Sequence, residues 1–222
     1  MKNGHMKPNR ALLFHGGWEG HFPEVVARRL QAELARRSPG LEVELSATLD
    51  CLNDPEALKG YRLFIPGWTC GTLSGEQAKN LSAAVRAGAG LGGLHGGMGD
   101  AFRGNHEYEW MVGGHFVGHP HVGDYTVRLT ARQSPITDGL PQEIPYTSEQ
   151  YYLLVDPAVE VLADSLYTYE GHRCVMPVAW TRPWGAGRVF YSALGHDPKE
   201  FDTHPAAFDL ALRGILWAAG LL

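Results

Sequence analysis

Cysteine is scarce in this sequence, which has three cysteines among 222 residues and no Cys-x-x-Cys pair. A scattered, odd set of thiols excludes a disulfide scaffold and is typical of a reducing compartment. No apolar run reaches the roughly 20 residues needed to cross a bilayer. Residues 1–7 contain no apolar segment of a signal peptide, and we interpret them as a tag or cloning remnant. We therefore expect a cytoplasmic protein with no membrane partner.

Positive charge is also in short supply, because 19 Lys and Arg residues stand against 24 Asp and Glu residues and the net charge is −5. This balance gives no support for a nucleic-acid partner. Hydrophobic residues make up 44% of the chain, which is an ordinary globular composition with enough apolar surface for a core. Glycine and histidine are plentiful instead, with 28 and 11 residues respectively.

The first hundred residues alternate between strand-like and helix-like segments. A helix is predicted from Pro23 to Arg37, where apolar side chains recur every fourth residue. A second helix is predicted from a capping box at Ser74 to Gly88. Strand–helix–strand repetition of this kind predicts an α/β fold with a doubly wound, mostly parallel sheet. The strands predicted here are 10–15, 41–46, 61–67 and 90–95.

Later segments favour antiparallel strands followed by one more helix. Residues 183–187 predict a hairpin turn, and apolar residues after Pro205 fall on one face of a final helix. No composition break marks a linker, so we expect residues 8–222 to form a single domain. The additional strands predicted are 124–130, 159–163, 174–182 and 187–194.

Histidines beside glycines follow several of the predicted strands. His15, His95 and His196 each stand at a strand end, and the carboxyl ends of parallel strands are where such sheets bind ligands. Histidine exchanges protons near neutral pH, so these residues are candidate acids and bases. The alternative is that each histidine is a structural residue and each glycine a turn requirement.

The string Gly93-Leu94-His95-Gly96-Gly97 has the pattern of a nucleophile elbow, a sharp strand-to-helix turn flanked by small residues. Histidine occupies the elbow position. Acyl transfer is therefore not expected there, because the position offers neither a thiol nor a hydroxyl.

Two further groups of polar residues are candidates for the site. His115, His119 and His121 suggest metal spacing, but glycine and proline between them argue against a helical chelate, and loop histidines contacting substrate or structure are the alternative. Glu149, followed by Tyr151, could orient a histidine or bind a polyol, or it could be a solvated loop carboxylate. We predict no cofactor, with a divalent metal as a minor alternative.

Seven segments spread along the chain form a recognisable set: HGGWEGH at 15–21, GLHGGMGDAF at 93–102, GGHFVGHP at 113–120, SEQYYLL at 148–154, PVAW at 177–180, GRVFYSALGHD at 187–197 and RGILWAAG at 213–220. With these segments in this order, the sequence resembles the ThuA-like (trehalose utilisation) family over nearly the whole chain. The resemblance implies a flavodoxin-like fold akin to the class I glutamine amidotransferase domain. It also implies a role in the use of trehalose or related disaccharides, with keto-sugars made by a partner dehydrogenase as the associated intermediates. Because His95 stands where the amidotransferases have cysteine, no glutaminase activity is expected.

We therefore expect an enzyme, an isomerase, lyase or hydrolase, that acts on a keto-glycoside by histidine acid–base catalysis. A non-catalytic sugar-binding or regulatory protein and a metal-dependent hydrolase using residues 115–121 are the alternatives. Aromatic faces beside polar groups suit a sugar ring, and surface aromatics such as Trp110 and Phe116 would allow a homo-oligomer. The expected catalytic residues are His95, His15, His196 and Glu149. The expected substrate-binding residues are Trp18, His21, Trp68, Gly96, Gly97, His119 and Tyr151.

Overall fold

The computed structural model describes residues 9–222, so the expected tag or cloning remnant at 1–7 lies outside the described residues. Within residues 9–222, nine strands form one sheet in the order β2-β1-β3-β4-β9-β8-β7-β5-β6. The strands are β1 (Arg10–Gly17), β2 (Glu42–Ser46), β3 (Leu63–Thr69), β4 (Gly90–Leu94), β5 (Gly114–Leu129), β6 (Glu143–Val155), β7 (Glu160–Tyr169), β8 (His172–Trp184) and β9 (Gly187–Ser192). The helices are α1 (Pro23–Arg37), α2 (Pro55–Leu58), α3 (Gly75–Arg86), α4 (His95–Gly99), α5 (His106–Val112), α6 (Glu200–Thr203) and α7 (Pro205–Ala219).

The parallel half of the sheet consists of β2, β1, β3, β4 and β9. Strand β1 lies between β2 and β3, so the chain reverses its direction of travel across the sheet at β1. In doubly wound sheets, ligands bind beyond the carboxyl ends of the strands at such a reversal. The predicted α/β fold is confirmed. Among residues 9–222, no helix is both long enough and apolar enough to cross a bilayer.

Helix α7 lies very close to β4 because β4 carries glycine where the two meet. A Cβ atom at Gly92 would lie 3.1 Å from the backbone Cα of Ile215. At Gly90, a Cβ would lie 2.5 Å from the carbonyl carbon of Ala218, so any side chain there would push the helix away. The helix buries Leu212, Ile215 and neighbouring apolar residues in return, which fixes β4 within the core.

The antiparallel half is longer than predicted. Strand β5 begins at Gly114, ten residues before the predicted start at 124, and β6 covers residues 143–155, where no strand was expected. The interpretation of residues 115–121 and 148–152 as loops is therefore wrong. The glycines and prolines that suggested loops are tolerated because β5 and β6 pair along most of their length, which satisfies their backbone groups.

An irregularity in the β5–β6 pairing changes the direction of His119. Gly118 pairs with Tyr152 and His121 with Gln150, so two residues of β5 stand opposite Tyr151. One of the two is Pro120, which lacks an N–H donor and is accommodated at such bulges. The other is His119, whose imidazole approaches a carboxylate of β6.

Candidate active site

Three histidines and one glutamate from four separate segments meet at the carboxyl end of the parallel strands. His21 ends a short 3₁₀ turn after β1, His95 begins α4 after β4, and His196 follows β9. Glu149 comes from β6, at the far edge of the sheet. The ring nitrogens and carboxylate oxygen that these four side chains offer all lie within 4.8 Å of one another. We call His21, His95, Glu149 and His196 the histidine–glutamate cluster.

His95 occupies the elbow between β4 and α4. Its φ of 44° lies in the left-handed region, which side chains seldom adopt, and the surrounding structure must hold it there. Its Nδ1 donates to the carbonyl of Ala193 at 2.8 Å, just after β9. The ring stacks on Tyr151 with 4.2 Å between centroids. With only 2% of its surface exposed, His95 forms the floor of the cluster.

His21 lies against both other histidines of the cluster. Its ring centroid is 4.8 Å from that of His95 and 5.1 Å from that of His196. Its Nδ1 is 2.7 Å from the hydroxyl oxygen of Thr69, at the end of β3. Burial, and then the charges of His95 and His196, lower the pKa of His21 to about 3 against the opposing effect of Glu149. The ring is therefore neutral at pH 7.

Glu149 is contacted by three imidazoles. Its Oε2 lies 3.3 Å from His95 Nε2 and 3.5 Å from His196 Nδ1, and its Oε1 lies 3.4 Å from His119 Nε2. Burial acts to raise the pKa of the carboxyl group, but the close approach of His95 and the charges of all three histidines hold the pKa below its usual value. Glu149 is therefore a buried carboxylate, not a solvated loop residue.

His196 is held by a second carboxylate. Its backbone N–H donates to Glu200 Oε2 at 3.1 Å. The same glutamate accepts from Tyr146 at 2.5 Å and from Ser148 at 2.6 Å, both on β6. Burial and the charge of His95 lower the pKa of His196, against the opposing charges of Glu149, Glu200 and Asp197. The strand that carries Glu149 and the segment that carries His196 are thus joined by Glu200.

Comparison with known proteins identifies the family of this chain. The family described as trehalose utilisation, ThuA, matches residues 10–218. The chain belongs to the ThuA family. No curated protein matches the sequence.

Solved structures with low sequence identity share the fold of this ThuA-family chain. A ThuA-like protein from Parabacteroides merdae has a TM-score of 0.74 at 17% identity, with 96% of this chain and 90% of that chain covered. A ThuA-like protein from Bacteroides uniformis has a TM-score of 0.73 at 19% identity, with 98% and 95% covered. A β-galactosidase from Bacillus circulans sp. alkalophilus has a TM-score of 0.60 at 14% identity, with 96% of this chain but 30% of that chain covered. The fold expected from the resemblance is confirmed.

Several candidate residues of this ThuA-family chain border the cluster. Trp18 is 53% exposed, and its ring meets the His21 ring edge-on with 4.7 Å between centroids. The Tyr151 ring is stacked with the rings of both His95 and His119. Trp68 directly precedes Thr69 and is partly buried against the core. Gly97 approaches Gly67 of β3, where a Cβ would lie 3.1 Å from the Gly67 Cα.

Other candidates lie apart from the cluster. His15 is within β1, paired in register with Gly67, and Glu24, Arg28 and Glu19 are the charged groups that act on it. Burial lowers the pKa of His15, an effect that Glu24 opposes.

The three histidines of residues 115–121 have separate partners. His115 Nδ1 is 4.0 Å from Glu109, His121 Nε2 is 3.2 Å from the carbonyl of Asp124, and His119 alone reaches Glu149. The suggested metal site among these three residues therefore has no geometric basis in the described chain.

Sequence reasoning missed Thr69, Tyr146 and Glu200 as members of the site. Thr69 stands in the strand-end string Gly67-Trp68-Thr69-Cys70-Gly71, so its position was a usable signal. Glu200 lies four residues after His196, but no local pattern distinguishes it from a solvated glutamate. Tyr146 stands in β6, which was not predicted as a strand.

Gly96 gives a direct test of how tightly the cluster is packed. A Cβ there would lie 2.5 Å from His21 Nδ1 and 3.0 Å from the Tyr151 hydroxyl oxygen. We expect Gly96→Ala to lower the free energy of unfolding by about 1–3 kcal/mol, the usual cost of overpacking. Urea denaturation measures this change. Gly75→Ala is the control, because a Cβ at Gly75 meets nothing within 4 Å, and equal stability of the two variants would contradict the packing described.

Proposed function

We propose that this ThuA-family protein is an enzyme of disaccharide utilisation that moves a proton on the carbon next to a sugar ketone. The observation that carries the proposal is the buried carboxylate of Glu149, surrounded by the imidazoles of His95, His119 and His196. Ketones acidify the hydrogens on the neighbouring carbon, so a positioned base and a positioned acid suffice for the reaction.

The proposed chemistry balances without a redox partner. A base takes the hydrogen from the carbon beside the ketone, and the electron pair of that C–H bond forms a C=C bond. The carbonyl π electrons pass to oxygen, which takes a proton from an acid. For isomerisation, the former carbonyl carbon takes a proton while the hydroxyl on the neighbouring carbon loses its proton and becomes the new ketone. For cleavage, the enol O–H gives its proton to a base and the C=O bond forms again. The C=C pair then shifts to the next carbon, and the C–O bond to the leaving group breaks as the departing oxygen takes a proton from an acid. Both outcomes share the first step.

The exposure of the histidines suggests how the roles divide. The side chain of His119 is 39% exposed and that of His196 is 28% exposed, whereas that of His95 is 2% exposed. The two accessible imidazoles are therefore the groups that could meet a substrate. His119 stands on Glu149 Oε1, which would stabilise it after it has accepted a proton. His95 is too buried to meet a substrate. We assign it the role of a positioning residue, which acts on the reaction through its contact with Glu149.

Two features favour a sugar as the substrate, and a third argues against glutaminase chemistry. The family is described as trehalose utilisation. Trp18 offers an exposed aromatic face beside His21, and aromatic faces stack well on sugar rings. The elbow holds His95 in place of a cysteine, so glutaminase chemistry has no nucleophile there. We propose a cytoplasmic location for the protein, in line with its three scattered cysteines.

The test of this proposal follows hydrogen exchange, which reports the first step whatever the final product. Purified protein is incubated with 3-keto-trehalose in D₂O, and proton NMR follows the hydrogens beside the ketone. We expect enzyme-dependent loss of those signals, with none from unoxidised trehalose. Protection of the protein from thermal unfolding by the keto-sugar, with no exchange and no product, would establish a binding protein instead and overturn the proposal.

A further inference from the structure

The histidine–glutamate cluster contains an electrostatic conflict. His95 Nδ1 donates to the carbonyl of Ala193, which can only accept, so the hydrogen of a neutral His95 is on Nδ1 and its Nε2 carries a lone pair. That lone pair faces Glu149 Oε2, another acceptor, at 3.3 Å. His196 Nδ1 approaches the same oxygen at 3.5 Å.

None of these three atoms has a hydrogen-bond partner elsewhere in residues 9–222. His95 Nε2, Glu149 Oε2 and His196 Nδ1 are each buried and unpaired. Leaving a buried polar atom without a partner costs about 1–3 kcal/mol. Three such atoms that face one another would all gain from a positive charge placed between them.

Protonation of the histidines is a poor way to pair these three atoms. A neutral His196 with its hydrogen on Nδ1 could donate to Glu149 Oε2, but His95 Nε2 could donate there only from a charged imidazolium. That charge would be buried, with the His196 and His21 rings 5.4 and 4.8 Å away, and burying a charge is costly. A single divalent cation would instead accept all the lone pairs at once.

We propose that the histidine–glutamate cluster binds one divalent transition-metal ion, with Zn²⁺ as the best fit, through His21, His95, Glu149 and His196. Four ligands at about 2.1 Å around tetrahedral zinc stand roughly 3.4 Å from one another. The separations of Glu149 Oε2 from His95 and His196, 3.3 and 3.5 Å, already match this spacing. The widest separation in the cluster, 4.8 Å, needs to shorten by a movement of side chains.

The surroundings of two ligands support this assignment. Metal-binding histidines usually donate their other ring N–H to a carbonyl or carboxylate, which fixes the tautomer and the orientation of the ring. His95 does so with Ala193. Thr69 holds one ring nitrogen of His21, which leaves the other for a cation. Three imidazoles with one carboxylate suit zinc and its neighbours, whereas Mg²⁺ and Ca²⁺ favour oxygen ligands.

This inference goes beyond the proposed function, because cation binding requires no sugar. When bound, the cation would supply a positive charge that could polarise a ketone oxygen. Glu149 Oε1 and His119 would remain free for proton transfer, since their contact uses the other carboxylate oxygen. His119 therefore separates the two proposals experimentally.

The experiment is titration of chelator-treated protein with ZnCl₂ by calorimetry, together with elemental analysis of samples loaded separately with Mn²⁺, Fe²⁺, Co²⁺, Ni²⁺ or Zn²⁺ and then dialysed. We expect one Zn²⁺ per chain. His196→Gln and Glu149→Gln should each weaken binding more than tenfold, and His196→Gln is informative even if variants at the buried His95 fail to fold. His106→Gln is the matched control, because His106 is 94% exposed and pairs with Glu109.

Two results would overturn the metal site. One is the absence of stoichiometric binding of any of the five metals by the wild-type protein. The other is equal zinc affinity of His196→Gln, Glu149→Gln and the control. His119→Gln distinguishes the two proposals, because it should keep its zinc while losing hydrogen exchange on the keto-sugar. Zinc binding without any exchange in the wild-type protein would overturn the proposed function and leave the metal site standing.

Discussion

Replacing Glu149 with glutamine is expected to lower kcat on a keto-disaccharide by about a thousandfold, within the range of roughly 10²–10⁴ that general acid–base catalysis contributes. Glutamine keeps the shape of the side chain but carries no charge. His119 and His196 would then lose the carboxylate they share, so neither could hold a transferred proton as readily. The change in KM should be small, because Trp18 and the outer surface of the site remain.

Glu143→Gln is the matched control for this prediction. Glu143 lies on the same strand as Glu149 but is exposed at the start of β6, so its substitution should leave kcat unchanged. Thermal unfolding of both variants is the measurement that checks whether the fold is retained. A Glu149→Gln enzyme with more than a tenth of the wild-type kcat would show that this carboxylate does not take part in the chemistry.

Asp156→Asn is expected to lower the free energy of unfolding by about 3 kcal/mol, because it leaves a buried guanidinium without its counter-charge. Asp156 follows β6 and lies 2.7 Å from Arg182 of β8, with 6% and 8% of their side chains exposed. Arg182 also donates to the Trp110 carbonyl at 2.6 Å. The Asp156–Arg182 pair therefore links the end of β6 to β8.

Urea denaturation measures this loss against a surface pair of the same chemistry. Arg128 and Asp164 are also 2.7 Å apart, but their side chains are 40% and 20% exposed. Exposed pairs contribute about 0–1 kcal/mol, so Asp164→Asn should have little effect. Similar losses in the two variants would mean that burial does not set the strength of the Asp156–Arg182 pair.

Local patterns predicted the parallel half of the molecule well. The recurrence of an apolar residue at every fourth position predicted α1 with the observed bounds, Pro23–Arg37. Ser74 and Gln77 form the predicted capping box at the start of α3. The glycine-flanked His95 occupies a left-handed elbow directly after β4, as its sequence indicated. Each of these features depends on residues that are neighbours along the chain.

The antiparallel half could not be predicted in the same way, because its structure depends on distant pairing. The burial of Glu149 depends on the pairing of β6 with β5 and on the approach of β6 to His95 at the end of β4. The contrast between His15 and His21 has a similar origin. Both follow the first apolar run, but the 3₁₀ turn brings only His21 against Thr69, and nothing local to either histidine shows this.

The histidine–glutamate cluster draws its four residues from distant parts of the chain, which also bears on how the protein folds. Contacts across the site join residues far apart in sequence, with a separation of 48 residues from His21 to Thr69 and of 98 from His95 to Ala193. Contacts of this kind form late, since long loops must close before they contribute. A chain emerging from the ribosome must therefore be almost complete before its four cluster residues can meet. The cluster exists only in the fully folded protein, so a ligand bound there would stabilise the folded state alone.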